Sequence, residues 1–464
     1  ARFLRGYFYF ELVRNFGGVP LVTSFLLPEE IQGITRASAE DVYKFIEDDL
    51  KAAADALPKR SEYAATDMGR ATSGAALGLL GKVYLYQEKW QEAHDVLETV
   101  IDSKEYELLD NFGDVWSVDH NNSKESLFEV QYMYDGTYSL GGSLTIITGA
   151  RNGPGDGWSW GQPTANLEQA YIDAGDTERL RWTIIKTGCT EIAGEDNFDK
   201  FIENSKDMAN YKTYIEKYGW DPNCYIIDPA QHKSARIVRK YFVPIEKRPE
   251  VYNTDKIPLD HRILRYADVL LMYAEVVNEL YGKGATAEGC TLTATAALKE
   301  VHDRAFTDAT KRDAAWTALM GKDFFDAIVD ENAWELAGEG VRKFDLIRWN
   351  LLSEKIDEFK NEYTNAVYNG TYPQYVNYKY RTDNPMYIDM TSLVFGAKVG
   401  GEYENKSFFG AETSDKEQKN LKVNLPSISG GLNKAVKNRY LLPIASTTIS
   451  TSNGKLHNSY GYSD

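Results

Sequence analysis

The stretch "SGAALGLLGKVYLYQEKWQEAHDVLETV" (73–100) restricts most narrowly what this chain can fold into. Leu77, Leu80, Gly81, Tyr84, Ala93 and Leu97 recur at offsets that place them on the facing sides of two antiparallel helices. Gly81 and Ala93 are small enough for the helices to approach closely, and Tyr84 fills the space beside them. The spacing predicts a helical hairpin of the tetratricopeptide type. Such a hairpin cannot bury its apolar face alone, so further helices must stack on it.

Those helices are visible on both sides. In "SAEDVYKFIEDDLKAAADALP" (38–58) Ser38 is placed as N-cap with Asp41 three residues on, and Pro58 marks the stop. Val42, Phe45, Ile46, Leu50 and Ala53 form its apolar stripe. A second pair is predicted over 262–280 and 293–305, and a third helical block over 324–350. The opening "RFLRGYFYFELVRNFGGVPLV" (2–22) predicts a helix that stops at Gly17–Gly18 and becomes extended through Val19–Pro20. Leu4, Phe8 and Leu12 make one stripe, and Phe3, Tyr7 and Phe10 a second face. Arg2, Arg5, Glu11 and Arg14 exclude a membrane span, and no aliphatic run suits a signal peptide. The expectation is a core helix covered on its outer side by chain preceding Ala1.

Between the helical parts the pattern changes. "SLFEVQYMY" (126–134) alternates like a strand, and the Gly-rich "DGTYSLGGSLTIITGARNGPGDGWSWGQPTANLEQAY" follows. The tail from 351 is rich in Asn, Tyr, Ser and Gly, shows few helical runs and is expected to wrap the array. The organisation read from this is 1–110 helical, 111–260 a loop-rich, partly β ligand-binding excursion, 261–350 helical again, and 351–464 a loop-rich C-terminal region. The fold class is mainly α.

Composition removes several functions. A formal charge of −17 argues against nucleic acid and anionic lipid as partners. Cys189, Cys224 and Cys290 form no C-x-x-C, which indicates neither a disulfide framework nor a zinc site. The six histidines make no H-x-x-x-H or H-E-x-x-H pair. "DNFDKFIENSKD" (196–207) lacks the mid-loop Gly and final Glu of a calcium loop. "GPGDGW" (153–158) carries an Asp and no following Lys, so it is no phosphate loop, and no G-x-S-x-G is present. Glu335 and Glu339 are spaced for comparison with a glycosidase pair. Arg342 and Arg348 stand three residues after Glu339 and Asp345, which favours ordinary helix-face ion pairs instead. Arg262 and Arg265 with Asp268 and Glu275 are expected to tie helices together, and Trp349 to sit in the core. No catalytic residue, metal ligand or cofactor site is expected.

One loop stands apart. Tyr138, Trp158 and Trp160 occur with Arg151 and Asn152 in a chain holding 31 Tyr and 9 Trp. Sugars offer C–H faces that stack on aromatic rings, and hydroxyls that take hydrogen bonds from Arg and Asn. In an extended Trp-Ser-Trp both indoles point to the same side. The competing expectation is that the rings pin the loop to the scaffold.

These segments resemble the SusD/RagB family. The similarity rests on the opening "RFLRGYFYFELVRNFGGVPLV", "GRATSGAALGLLGKVYLYQEKW", "ESLFEVQY", "RILRYADVLLMYAEVVNEL", "WELAGEGVRKFDLIRW" and "RYLLPIASTTISTSNGKLHNSYGY" in that order. The resemblance implies a tetratricopeptide-like α scaffold and a surface-exposed outer-membrane lipoprotein. It also implies capture of glycans, or sometimes peptides, without catalysis, for a SusC-like TonB-dependent transporter. It carries stacking roles onto Tyr138 in "GTYSLGGS" and Trp158 in "GDGWSWGQPT"; Trp160, Arg151 and Asn152 are added from their chemistry. Family chains begin with a lipid-bearing cysteine and a segment before the "RFLR" helix, neither of which is in this sequence. A glycan-binding protein is the reading, with an oligopeptide receptor on the same scaffold as the alternative.

Overall fold

The computed structural model describes residues 1–31, 33–134, 139–149, 157–186, 236–243, 257–284, 292–368, 371–373, 375–383, 388–407 and 440–458. Helices α1 (Arg2–Phe16), α2 (Pro28–Ile31), α3 (Ala39–Ala56), α4 (Ser73–Leu85) and α5 (Trp90–Asp102) lead into strand β1 (Ser126–Val130). The middle holds β2 (Met133–Tyr134), β3 (Ser139–Leu140), α6 (Leu144–Thr148), α7 (Ala165–Ala174), α8 (Thr177–Thr183), β4 (Ile184–Lys186) and β5 (Arg236–Val238). Then come β6 (His261–Arg265), α9 (Tyr266–Tyr281), α10 (Ala294–Arg304), α11 (Ala309–Met320), α12 (Phe324–Glu335) and α13 (Arg342–Arg348). Helix α14 (Leu352–Tyr368), strands β7 (Tyr375–Tyr380), β8 (Ile388–Gly396) and β9 (Glu404–Ser407), and α15 (Ser446–Thr451) follow.

The molecule is mainly α, and its core is a stack of helices. α1 packs on α3, α3 on α4, α4 on α5, α5 on α9, and α9 on α10 and α12. Ser38 Oγ accepts from Asp41 N at 3.0 Å and starts α3, as its sequence predicts. Gly17, at φ 71°, ends α1 and donates its N–H to Val13 O at 2.8 Å. A Cβ on Gly81 would lie 2.5 Å from Leu97 Cδ2, so the α4–α5 hairpin closes only because that position is bare. Val42, Ile46, Leu50, Leu80, Leu97, Leu270 and Leu298 are buried in one continuous cluster. Each stabilises the array by about 1.5–3 kcal/mol relative to exposure.

Several expectations need correction. Residues 262–265 are not the start of a helix: β6 pairs antiparallel with β1, Ser126 opposite Arg265. Asp268 Oδ2 accepts from Arg265 N at 3.2 Å and lets the helix begin only at Tyr266. The block 324–350 is two helices, because Gly338 and Gly340 take φ 82° and 80° between them. The tail carries the 17-residue α14, whose Asn- and Tyr-rich surroundings disguised it. α1 is a core helix on one side: Phe3, Tyr9, Phe10 and Val13 are buried, while Leu4, Phe8 and Leu12 face solvent. α11 escaped notice for a related reason, as Leu319 alone of its side chains is buried. The strand expected over 126–134 breaks after Val130 and resumes at Met133. Trp349 is half-buried and donates its indole N–H to Glu275 Oε1 at 2.9 Å.

The middle region and the second helical part are joined by buried charge. Arg265 Nη1 donates to Glu125 Oε1 at 2.8 Å and to Glu335 Oε1 at 2.6 Å, while Nε donates to Glu339 Oε2 at 2.9 Å. Arg304 bridges Glu125 at 2.8 Å and Glu335 at 2.5 Å. Arg179 reaches Glu331 at 2.6 Å and Glu335 at 3.2 Å, and pairs with Asp176. Lys240 Nζ donates to Glu339 Oε1 at 2.8 Å and lies 4.6 Å from the centre of the Trp116 ring. Burial alone raises the Glu335 carboxyl, but Arg304, Arg265, Arg179 and Lys240 outweigh it and hold it far below the ordinary carboxylate range. Burial brings the Lys240 ammonium down to about 8, against the pull of Glu339. The helix-face pairing of Arg342 with Glu339 is replaced by this network; Arg342 donates to Val329 O and Asn332 instead. The Arg348–Asp345 pair forms at 2.9 Å, and Arg262 pairs with Glu129.

Removing one partner from such a network strands the others, so Glu335→Gln should lower unfolding free energy by about 3–5 kcal/mol. Lys44→Gln, in an exposed pair with Asp48, should cost less than about 1 kcal/mol. Urea titration of both variants checks this. The depressed carboxyls of Glu331, Glu335 and Glu339 contribute stability above about pH 4.5 and lose it as pH falls through their folded values. Glu335→Gln should therefore flatten the acid limb of the stability profile.

Candidate functional site

The aromatic loop is positioned by the short helix α6. Thr145 Oγ1 anchors α6 by donating to the buried Tyr241 O at 2.5 Å. A five-residue helix leaves most of its carbonyls without an internal partner. The loop supplies them: Trp158 N donates to Ile146 O at 2.6 Å and Trp160 N to Ile147 O at 2.8 Å. Between them Ser159 N donates to Gly149 O at 2.9 Å, and its Oγ lies 3.2 Å from the same oxygen. Gly157 runs so close to α6 that a Cβ there would lie 2.3 Å from Ile146 O.

The loop is thus held by backbone and by the buried Ser159, which leaves the indoles uncommitted to the core. Trp158 is 49% and Trp160 63% exposed. Their ring centroids are 5.9 Å apart and their planes are inclined by 56°. The rings are neighbours, but the segment between them is not extended: Ser159 sits at φ 58° and tilts one plane against the other. The pair forms an open V, not a flat shelf. A six-membered ring can stack on either wall, and two successive sugars of a twisting chain can meet both.

Tyr138, Arg151 and Asn152 lie outside the described residues, as do 196–207 and the three cysteines. The hairpin β2–β3 that brackets Tyr138 is tied at its root by Asp260, whose Oδ1 accepts from Tyr132 N at 2.7 Å. Burial pushes the Asp260 carboxyl up to about 7, with neighbouring Glu129 adding to the rise and the Tyr132 amide and Arg262 opposing it. Among the described residues, no group of three or more His, Cys, Asp or Glu is arranged to hold a metal. Glu335 is buried and Glu339 half-buried; the pair, whose spacing invited comparison with a glycosidase, is occupied by Arg265, Arg304 and Lys240. A second concavity, an apolar groove of about 960 Å3, runs along α1 past Leu4, Phe8, Ala52, Ala56 and Val130. It shares no lining residue with the tryptophan loop, and only the exposed stripe of α1 hinted at it in the sequence.

Most of the chain matches the models of a known family. The SusD family model matches residues 124–462, and a model described as starch-binding associating with outer membrane matches residues 1–85. The chain belongs to the SusD family. SusD-like protein P25 of Formosa agariphila is 25% identical over 374 residues, which is 78% of this chain and 65% of that protein. A SusD-like protein of Bacteroides ovatus is 29% identical over 300 residues, 59% of this chain and 47% of that one. The chain therefore spans less than two thirds of the length of these curated relatives. Among solved structures, a laminarin-binding SusD-like protein is 26% identical, with a TM-score of 0.56 over 77% of this chain and 71% of that chain. No helix among the described residues is long and apolar enough to cross a membrane.

Gly157→Ala tests how the loop is held. The added methyl collides with a backbone oxygen, so the Trp158 and Trp160 amides should lose their partners on α6. Hydrogen exchange at those two amides should speed up while exchange in α4 and α9 stays unchanged; equal protection in variant and parent would refute the mechanism.

Proposed function

We propose that this chain is a non-catalytic glycan-binding protein of the outer bacterial surface. In this reading it captures oligo- or polysaccharides and delivers them to a SusC-like, TonB-dependent outer-membrane transporter, held there as a lipoprotein. The observation that carries the proposal is the Trp158–Trp160 pair, half or more exposed on a loop fixed by its own backbone. Large aromatic rings held bare cost solvation unless a partner covers them, and sugar C–H faces are suited to do so. Family membership and a relative that binds laminarin support carbohydrate as the partner class.

The mechanism needs no bond to break. The indoles supply stacking area at small entropy cost, because left-handed Ser159 and close-packed Gly157 fix the loop before ligand arrives. Tyr138 is proposed as a third stacking ring, and Arg151 and Asn152 as hydrogen-bonding groups that read hydroxyl positions. Binding by stacking accepts glycans of varied length, while the hydroxyl contacts set which sugar is preferred.

Laminarin is the first probe, followed by a polysaccharide panel in affinity gels. Against whichever glycan is retarded, Trp158→Ala should cost about 1–3 kcal/mol in isothermal titration, and Trp160→Ala a similar amount. Undiminished affinity in both variants would remove the loop from the binding site. Retardation by no polysaccharide, together with selection of sequences from a peptide library, would favour the oligopeptide reading.

A further inference from the structure

Both legs of the β2–β3 hairpin are tied to one short segment, 257–260. On the entering leg, Tyr132 N donates to Asp260 Oδ1 at 2.7 Å. On the leaving leg, Gly142 N donates to Ile257 O at 2.8 Å, and Ile257 N donates back to Gly142 O at 3.2 Å. The legs meet there: a Cβ on Gly142 would lie 2.9 Å from the Tyr132 ring. In sequence, Tyr138 falls between β2 and β3, and α6, which holds the tryptophan loop, starts at Leu144 just after Gly142. The segment 257–260 therefore sets where the aromatic site begins.

That segment is held by two carboxyls and one cation. Asp260 and Glu129 are both buried. They converge on Asn122, whose N donates to Glu129 Oε2 at 2.9 Å and whose Nδ2 donates to Asp260 Oδ2 at 3.4 Å. The two carboxyls are hydrogen-bonding neighbours. Among the described residues, the only ion pair either makes is Glu129 Oε1 with Arg262 Nε at 3.3 Å, and that oxygen has no hydrogen-bond donor. The Arg262 Nη1 donates to the Asp260 carbonyl at 2.6 Å, and Nη2 to Asn121 Oδ1 at 3.3 Å. Two carboxylates kept from water beside one guanidinium repel each other; a proton held between them removes the repulsion and joins them by an O–H···O bond.

Other charges nearby do not change this balance. On the turn before β1 stand Asp119 and His120, the latter 4.0 Å from Asp114. Arg60 donates to Asn122 O at 2.6 Å, and Arg70 pairs with Asp67 at 2.8 Å. In β6, His261 adjoins Asp260, and burial lowers its imidazole. None of these described groups puts a second cation on the pair.

We propose that Asp260 and Glu129 are positioning residues of the glycan site, which hold the hairpin root closed through one shared proton and make the site tighter in acid than at neutral pH. The inference rests on the glycan-binding reading and adds its regulation. Burial pushes the Asp260 carboxyl from 3.8 up to about 7, with Glu129 adding to the rise against the Tyr132 amide. A carboxyl raised on closure favours the closed root fully below its ordinary value. That contribution is lost as pH climbs to about 7, and above this no more is lost.

The test is hydrogen exchange at the Tyr132 and Gly142 amides, read from about pH 5 to about pH 9 and corrected for the chemical rate. In the parent, protection at both should fall at least about tenfold between about pH 5 and about pH 7, then level off, as one proton leaves on opening. Glu129→Gln keeps an acceptor for the Asn122 amide and offers Asp260 a hydrogen bond without a proton. Its protection should change by less than about twofold over the same range. His261 is common to both proteins, so their ratio isolates the pair. Asp260→Asn, which keeps an acceptor for Tyr132 N, should flatten the profile likewise. A flat parent profile, or parent and variants falling in parallel, would overturn the clamp, and the parent profile decides alone if neither variant folds. Laminarin affinity in the parent should drop over the same interval and stay level in Glu129→Gln; affinity indifferent to pH while protection changes would overturn the link to the site. Exchange is read without ligand, so laminarin binding at no pH would count against the glycan reading and leave the clamp standing.

Discussion

Arg265 is the point on which the architecture turns. It ends β6 where that strand meets β1, and from this place its guanidinium holds carboxylates from three separate segments: Glu125 before β1, Glu335 at the end of α12, and Glu339 in the glycine-rich turn beyond. Charges of this kind, buried singly, would be expelled or neutralised. Held together, each satisfies another, and the arrangement exists only when the middle region and the second helical part are both in place. Apolar contacts between helices tolerate sliding; a planar guanidinium with directed N–H bonds does not. The network fixes register where the hydrophobic stack alone leaves latitude.

That rigidity reaches the ligand loop by a short route. Lys240, bonded to Glu339 and to the carbonyl of Glu335, precedes Tyr241, whose own carbonyl accepts from Thr145 at the start of α6. α6 then offers its unpaired carbonyls to the amides of Trp158 and Trp160. Each link is a hydrogen bond to backbone or to a buried charge, so the indoles stand on a fixed base although they are themselves solvent-facing.

How much of this could be read from residues alone follows from the range of the interactions. Ser38, Gly17, Gly81 and Leu97 act on neighbours a few residues away or at a fixed repeat offset, and their helices were legible. The strand 261–265 was not, because Ile263 and Leu264 adjoin an apolar helix and only pairing with β1, far back in sequence, makes them a strand. Glu339 misled for the same reason: Arg342 is near in sequence, but Gly338 and Gly340 turn the chain and deliver Glu339 to Arg265. In the candidate site Trp158 and Trp160 were legible as residues, though their inclination depends on the left-handed Ser159, which no residue preference announces. The ion pairs of the buried Glu168 had no local signal at all. Lys186 and Arg236 are fifty positions apart, and the β4–β5 pairing brings them to one carboxylate.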